Sequence, residues 1–230
     1  MKTRWFSHWI SRLKKLLCLL ALAGLNTAFA GSYEDFFQAV KRDDARAVQQ
    51  LLARGFDANT LDPQGQSGLA NALREPSPKV AQLLIDWPQT DLNALSVQGE
   101  SPLMLAAIKG ERELVEKMIK KGADVNKTGW TPLHYAASAG QIDVMRLLLE
   151  NHAYIDAESP NGSTPLMMAS MYGTQAAVQL LLEEGADPLL KNQQGLTALQ
   201  FAESANRLNA ATMLENAARK TRAQRPPGTW

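Results

Sequence analysis

The sequence predicts an all-α protein built from stacked helix pairs. Three observations carry that expectation. The stretch from Gly129 to Gly140 reads as a complete short helix with its own start and stop. Similar stretches recur in phase: Gly129 to Gly162 and Gly162 to Gly195 are each 33 residues. Finally, helices this short are marginal in water, so each must bury its apolar face against a neighbouring copy.

Within Gly129–Gly140 each residue type has a place. Thr131 suits an N-cap, where its hydroxyl accepts from a free backbone N–H of the first turn. Pro132 follows at the first helical position, where its missing N–H costs nothing. Leu133, Ala136 and Ala137 form one apolar face at helical spacing. Gly140 stops the helix, because glycine accepts the left-handed geometry of a C-terminal turn. A second helix, Ile142 to Asn151, places Val144, Leu147 and Leu148 on its buried stripe. The opening recurs as Ser101-Pro102-Leu103-Met104, Thr164-Pro165-Leu166-Met167 and Thr197-Ala198-Leu199-Gln200. Second-half echoes are Lys121-Gly122-Ala123-Asp124-Val125-Asn126 and Glu184-Gly185-Ala186-Asp187-Pro188.

This pattern resembles the ankyrin repeat, whose helical signature is Thr-Pro-Leu-His-x-Ala on a period near 33 residues. Thr131 to Ala136 match every fixed position. The resemblance implies an ankyrin repeat solenoid of about six helix-turn-helix units with β-hairpin fingers. The units are expected near 33–62, 63–96, 97–126, 127–158, 159–191 and 192–220, within a domain spanning 31–220.

Ahead of that domain lies a segment of a different kind. Residues 1–15 are basic and carry Trp5, Phe6 and Trp9, and 16–25 form an apolar run of ten residues. Ala28-Phe29-Ala30 then supplies small residues where a signal peptidase reads them. A signal peptide cleaved after Ala30 is expected. The apolar run is well short of the roughly 20 residues a membrane-spanning helix needs. The competing reading is a retained amino-terminal helix that tethers the protein to a membrane.

The first unit lacks the Thr-Pro-Leu-His opening. Phe36, Phe37 and Val40 are expected inside while Glu34, Asp35, Lys41, Arg42 and Asp43 face water, as suits an end cap with one neighbour. The second unit is the most altered: Ser67-Gly68-Leu69 replaces Thr-Pro-Leu, and Trp87-Pro88 replaces the usual glycine turn. In the third, Glu113/Lys117 and Glu116/Lys120 are spaced for i,i+4 pairing. The interval from Gly99 to Gly129 is only 30 residues, so the finger before Trp130 is shortened. In the fourth, His152 stands at the turn-glycine position, which predicts a positive φ and strain of order 1 kcal/mol. The fifth is methionine-rich (Met167, Met168, Met171), and the sixth closes the stack. Residues 221–230 read as a flexible basic tail.

Formal charge is +1, from 24 basic and 23 acidic residues. Five of the basic ones precede residue 31, where no acid occurs, so the remainder carries 19 against 23. A mildly acidic body argues against nucleic acid as a partner. The single cysteine, Cys18, lies in the leader, so the mature chain is expected to hold no disulfide or thiolate centre. No nucleophile elbow or phosphate-cradling glycine loop is present. His134 occupies the position where the resemblance implies a backbone-bonding imidazole, and His152 is a turn residue. Acid pairs such as Asp43/Asp44 and Glu183/Glu184 read as solvated faces. No catalytic residue, metal site or cofactor is expected; a hydrolase with an unrecognised site is the minor alternative.

A binding surface is better supported. In ankyrin proteins the finger tips and exposed first-helix positions line a concave face. Carried over position by position, that implies Gln66, Arg74, Glu100, Ile108, Lys109, Trp130, Ser138, Ser163, Met171 and Tyr172 as protein-binding residues. Trp130, Ile108, Met171 and Tyr172 are large groups the repeat does not require for its own core. For Trp130 the alternative is that it folds over the shortened finger and fills the gap. The chain also resembles signal-bearing periplasmic ankyrin proteins of Gram-negative bacteria. That implies an exported, non-enzymatic protein that binds another protein, as an accessory to an enzyme or a protector against a toxin. Contact with the membrane would be transient, during export.

Overall fold

The structure is a computed structural model that describes residues 31–224. The expected leader, its cleavage point after Ala30 and the end of the basic tail lie outside the described residues. Among these, twelve helices form six consecutive pairs. The first pair is α1 (31–41) and α2 (Ala45–Ala53); the second is α3 (Gly68–Arg74) and α4 (Pro78–Asp86). Then come α5 (Pro102–Lys109) with α6 (Arg112–Lys120), and α7 (Pro132–Ala139) with α8 (Ile142–Glu150). Last are α9 (Pro165–Met171) with α10 (Gln175–Glu183), and α11 (Ala198–Ser204) with α12 (Leu208–Gln224).

Stacking follows from which faces are apolar. Helices α3, α5, α7, α9 and α11 pack in sequence as an inner layer, and α2, α4, α6, α8, α10 and α12 as an outer one. One continuous core runs between the layers, with Leu69, Leu103, Leu133 and Leu166 inaccessible to solvent. The helix starts behave as their residues dictate. Thr131, Thr164 and Ser101 accept from the backbone N–H three residues on, and proline opens each of these helices. Gly110 and Gly140 stop α5 and α7 in the left-handed conformation.

The departures are equally physical. Gly68 stands where proline is usual because a Cβ there would lie 2.6 Å from the Phe36 ring, which closes the end of the core. Asp43, expected in water, has φ 53° and its carboxylate accepts from Val80 N–H at 2.9 Å, capping α4 from the neighbouring unit. Lys117 pairs with Asp86 of the preceding unit, while Glu116 takes both Arg112 and Lys120. His152 has φ 64°, as its turn position predicts.

Two expectations need correction. The fingers are not β-hairpins: among the described residues there is no strand, only an isolated antiparallel bridge between Leu61 and Ser67. Each finger is too tight for a ladder. Asp62, Ser96, Ser159 and Asn192 donate to the carbonyl four residues on, at 2.8–3.0 Å, around a glycine at φ 73–77°. Residues 221–224, expected in the basic tail, belong to α12, which continues to Gln224. Helices α2, α6, α8 and α10 run into a left-handed glycine or histidine soon after their last turn, and α4 into Trp87-Pro88; α12 meets no glycine before Gly228, and its Ala, Arg, Lys and Gln favour helix.

A side-chain ladder ties the loops of successive units. Asn59 Nδ2 donates to the Gln89 carbonyl while its Oδ1 accepts from Asp91 N–H. Asn93 repeats this with Gly122 and Asp124, and Asn126 with His152 and Tyr154. At the fourth rung the residue is Asp156. Its carboxylate accepts from Asp187 N–H but has no proton for the carbonyl two residues earlier, that of Gly185. Burial, followed by repulsion from Asp187, pushes the Asp156 carboxyl up from its ordinary value. Asp156→Asn restores the missing donor and removes the penalised charge. It should stabilise the protein by about 1 kcal/mol near neutral pH, a typical net hydrogen-bond contribution. The urea midpoint checks this; an unchanged or lower midpoint would refute it.

Candidate binding wall

The inner helices share one face that is only partly covered, with Leu105 and Met168 buried along it and Ile108, Ala139 and Tyr172 exposed. On α7, Tyr135, Ser138 and Ala139 share a side, because residues three and four apart are helix neighbours. On α9 the same register gives Met168, Met171 and Tyr172, and on α5 it gives Leu105, Ile108 and Lys109. Between α5, α7 and α9 these positions enclose a groove of about 320 Å³, lined by Ile108, Trp130, His134, Tyr135, Ser138, Ala139, Met168 and Tyr172. Tyr172 is 62% exposed and Ile108 38% exposed, both high for large apolar groups.

Trp130 is half-buried at one end of this groove. Its ring meets His134 edge-on, centroids 5.3 Å apart and planes at 80°. The shortened finger beneath it is closed by Lys127, whose ammonium donates to the carbonyls of Thr128 and Trp130. The ring therefore covers the imidazole with one edge and lines the groove with the rest.

His134 is a fixed element of the floor. Its Nδ1 accepts from Thr131 N–H at 3.2 Å and from the Thr131 hydroxyl at 2.9 Å. Its Nε2 lies 2.9 Å from the Ser163 carbonyl. A carbonyl can only accept, so the ring proton sits on Nε2. The imidazole is 1% exposed, and burial pulls its pKa down to about 4, against the raising effect of the Ser163 carbonyl.

A polar cluster adjoins the apolar groove. Glu100 receives Arg74 on one carboxylate oxygen and the Tyr135 hydroxyl, at 3.1 Å, on the other. Lys109 donates to the carbonyl of Arg74 at the end of α3. Burial first, and then the Glu100 charge, pushes the Tyr135 phenol up to about 12. Tyr135 thus joins the two regions, its ring in the groove and its hydroxyl in the cluster.

The ten sequence-derived wall residues divide accordingly. Ile108, Trp130, Ser138 and Tyr172 meet in the groove, and Arg74, Glu100 and Lys109 form the cluster beside it. Met171 is half-buried one step along, its sulfur accepting from the Ser204 hydroxyl. Gln66 and Ser163 do not belong to an open wall. Ser163 is 1% exposed, its carbonyl facing His134 and its N–H bonded to the Ser159 hydroxyl. Gln66 is 7% exposed, its N–H on Asp62 and its amide on Gln98 of the next finger. Both positions are consumed by closing fingers. Sequence reasoning missed Tyr135 and Met168, the variable residue in Thr-Pro-Leu-His-Tyr-Ala and Thr-Pro-Leu-Met-Met-Ala. Their spacing from Ser138 and from Met171/Tyr172 was the signal that could have found them.

A larger depression of about 490 Å³ lies at the first unit, lined in part by Tyr33, Phe37, Asp62, Asn71 and Glu75. Several of its polar groups are already committed internally: Tyr33 donates to the Leu61 carbonyl and Asn71 to Asp62. Among the described residues no helix is long and apolar enough to cross a membrane, and no three His, Cys, Asp or Glu side chains group as metal ligands.

Comparison with known proteins agrees with this architecture. A family model of ankyrin repeats (three copies) matches residues 36–128, 80–159 and 153–224. Neurogenic locus notch homolog protein 1 of Xenopus laevis is 36% identical over 123 residues, 52% of this chain and 5% of that protein. Neurogenic locus notch homolog protein 2 of Homo sapiens is likewise 36% identical over 123 residues. The chain thus spans only 5% of the length of these relatives. Among solved structures, the human ASB11 ankyrin repeat domain superposes with a TM-score of 0.70 at 27% identity, covering 79% of this chain and 82% of that one. An ankyrin repeat domain from Acinetobacter baumannii AYE gives 0.68 at 27%, covering 79% and 96%. The overlapping matches take in every helix pair described above, and the chain belongs to the ankyrin repeat family.

Proposed function

We propose that this chain is an exported, non-enzymatic protein that holds another protein on its inner-helix wall. The fold is one that serves protein–protein interaction. The observation that carries the reading is the groove between α5, α7 and α9. It gathers Ile108, Trp130, Tyr135, Met168 and Tyr172 along one wall, with Ile108 and Tyr172 exposed and Trp130 and Tyr135 half-buried. Aromatic groups of this kind dominate the energetics of protein interfaces. A non-catalytic role agrees with His134, both of whose ring nitrogens are engaged by Thr131 and Ser163.

Export rests on the basic segment, apolar run and Ala28-Phe29-Ala30 of residues 1–30. The destination in this reading is the periplasm, and the role is that of an accessory or protective protein, assisting an enzyme or neutralising a toxin. Intact mass of the protein recovered from cells making the full chain tests the leader: cleavage leaves Gly31 first. A mass that retains residues 1–30 would favour a membrane-tethered scaffold instead.

The wall is tested by capture from a Gram-negative envelope extract. Wild-type protein should retain a specific partner, and Trp130→Ala plus Tyr172→Ala should weaken that binding at least 30-fold. That corresponds to about 2 kcal/mol, the scale of one interface hot spot. Circular dichroism should show the helices intact. Undiminished capture by the double variant would remove the wall from the account.

A further inference from the structure

The groove has a charged side and an uncharged side, and this asymmetry bears on what it holds. On the carboxy-terminal side of the groove, α7 and α9 present Ser138, Ala139, Met171 and Tyr172, none of them an Asp, Glu, Lys or Arg; the nearest exposed charge on the inner layer there is Glu203 of α11, one helix further on. On the amino-terminal side stand Arg74, Glu100 and Lys109. Glu100 is occupied by Arg74 and by the Tyr135 hydroxyl, so that pair is neutral in sum. Glu75 lines the separate depression of the first unit with Tyr33 and Lys41. On this side Lys109 is the cation without a counter-charge; Lys127, at the Trp130 end, is half-buried and held by the Thr128 and Trp130 carbonyls. Lys109 is exposed, follows the groove residue Ile108 in sequence, and among the described residues forms no ion pair; its one bond is to the Arg74 carbonyl.

Resting on the reading of this wall as a protein-binding surface, we propose that the groove takes an acidic–apolar peptide segment. One large apolar side chain sits among Ile108, Trp130, Tyr135, Met168 and Tyr172, and a neighbouring Asp or Glu pairs with Lys109. The volume, about 320 Å³, lies at the small end of ligand pockets and suits one or two side chains. The walls supply apolar area with fixed rings, and Lys109 supplies the sign of the flanking charge. Complementary charge of this type sets partner choice and orientation more than raw affinity.

The test uses protein recovered from cells expressing the full chain and a random heptapeptide library displayed on phage. Enriched peptides should share a Leu, Met, Phe or Trp within two positions of an Asp or Glu. A synthetic peptide of that consensus should bind Tyr172→Ala and Lys109→Glu at least tenfold more weakly than wild type. Its counterpart with the acid changed to lysine should prefer Lys109→Glu over wild type. Because Lys109 also bonds the Arg74 carbonyl, Lys109→Gln, which keeps a donor and loses the charge, should give an intermediate loss with an unchanged melting temperature.

Consensus peptides without a carboxylate, equal binding to Lys109→Glu, or no enrichment would each overturn the proposal. So would a chain whose own dimerisation, seen by sedimentation, occupies the groove and blocks the peptides. A cellular partner lost on Trp130→Ala plus Tyr172→Ala yet indifferent to Lys109→Glu would overturn this inference and leave the wall reading standing.

Discussion

Gly173→Ala should destabilise the protein by about 3 kcal/mol, near the upper end of overpacking penalties. The reason is space rather than backbone conformation. A Cβ on Gly173 would lie 2.2 Å from the Ala137 carbonyl oxygen and 2.9 Å from both Cα and O of Ala169. All three atoms are backbone, held in α7 and α9, so no side chain can swing away. The clash can be relieved only by prying the fifth unit from the fourth, which opens the same seam that holds Tyr172 beside Ser138 and Ala139. In a chain of this size 1 kcal/mol moves the melting temperature by roughly 2–4 °C, so a fall of about 6–12 °C is expected. Repeat stacks lose stability locally, so amide exchange should rise most in α9 to α12. Gly122→Ala is the control. Its φ is +93° but nothing lies within 4 Å of a Cβ there, so only the dihedral cost of about 1 kcal/mol applies. If both variants melt together, the inter-helix contact at Gly173 is not what limits the stack.

Sequence made the repeat legible because its punctuation is local. Thr131, Pro132 and Gly140 act on their own backbone, and their meaning does not depend on a neighbour. Gly68, Asp43 and Asp156 were opaque for the opposite reason. Gly68 answers to a phenylalanine in the preceding unit, Asp43 to a backbone N–H at residue 80, and Asp156 to the loop of the next unit. The hairpin form of the fingers is an expectation carried by the family resemblance; a family pattern predicts that the chain reverses there, but not how many residues of this chain remain to pair once it has reversed. For the wall, the family position identified which side faces outward, yet two such positions are spent on closure. Ser163 faces inward because His134 needs its carbonyl, and Gln66 because Gln98 lies across from it. Tyr135 was overlooked because a position written as variable carries no pattern; its importance comes from Glu100, 35 residues earlier in the chain.

The other large effect expected is a loss of stability on acidification that His134 controls. In the folded protein its pKa is about 4 against an ordinary 6.5. Burial is the leading cause, and the geometry adds to it. Nδ1 already accepts from two donors of Thr131, so a proton there would set N–H against N–H. Because the folded pKa is depressed, the unfolded chain takes up the proton first as pH falls. Stability is therefore fully present above about pH 6.5, declines from there, and levels off below about pH 4. Lowering a pKa by one is worth about 1.36 kcal/mol, so the full loss is about 3 kcal/mol, with about 2 kcal/mol gone by pH 5. Asp156 works against this trend, since its carboxyl is raised in the folded state and gains its proton there more readily. His134→Gln isolates the histidine. The sixth unit already uses glutamine at this position, where Gln200 accepts from Thr197 N–H at 2.7 Å, so the helix start tolerates the exchange. The variant should melt at a lower temperature at pH 7, having lost a fitted bond to Ser163, yet lose little more between pH 6.5 and 4.5. Equal acid sensitivity in wild type and variant would assign the titration elsewhere. The imidazole forms the groove floor under Trp130, so the same protonation that loosens the fourth and fifth units should also disorder the wall, and Trp130 fluorescence should change over the pH range in which stability is lost.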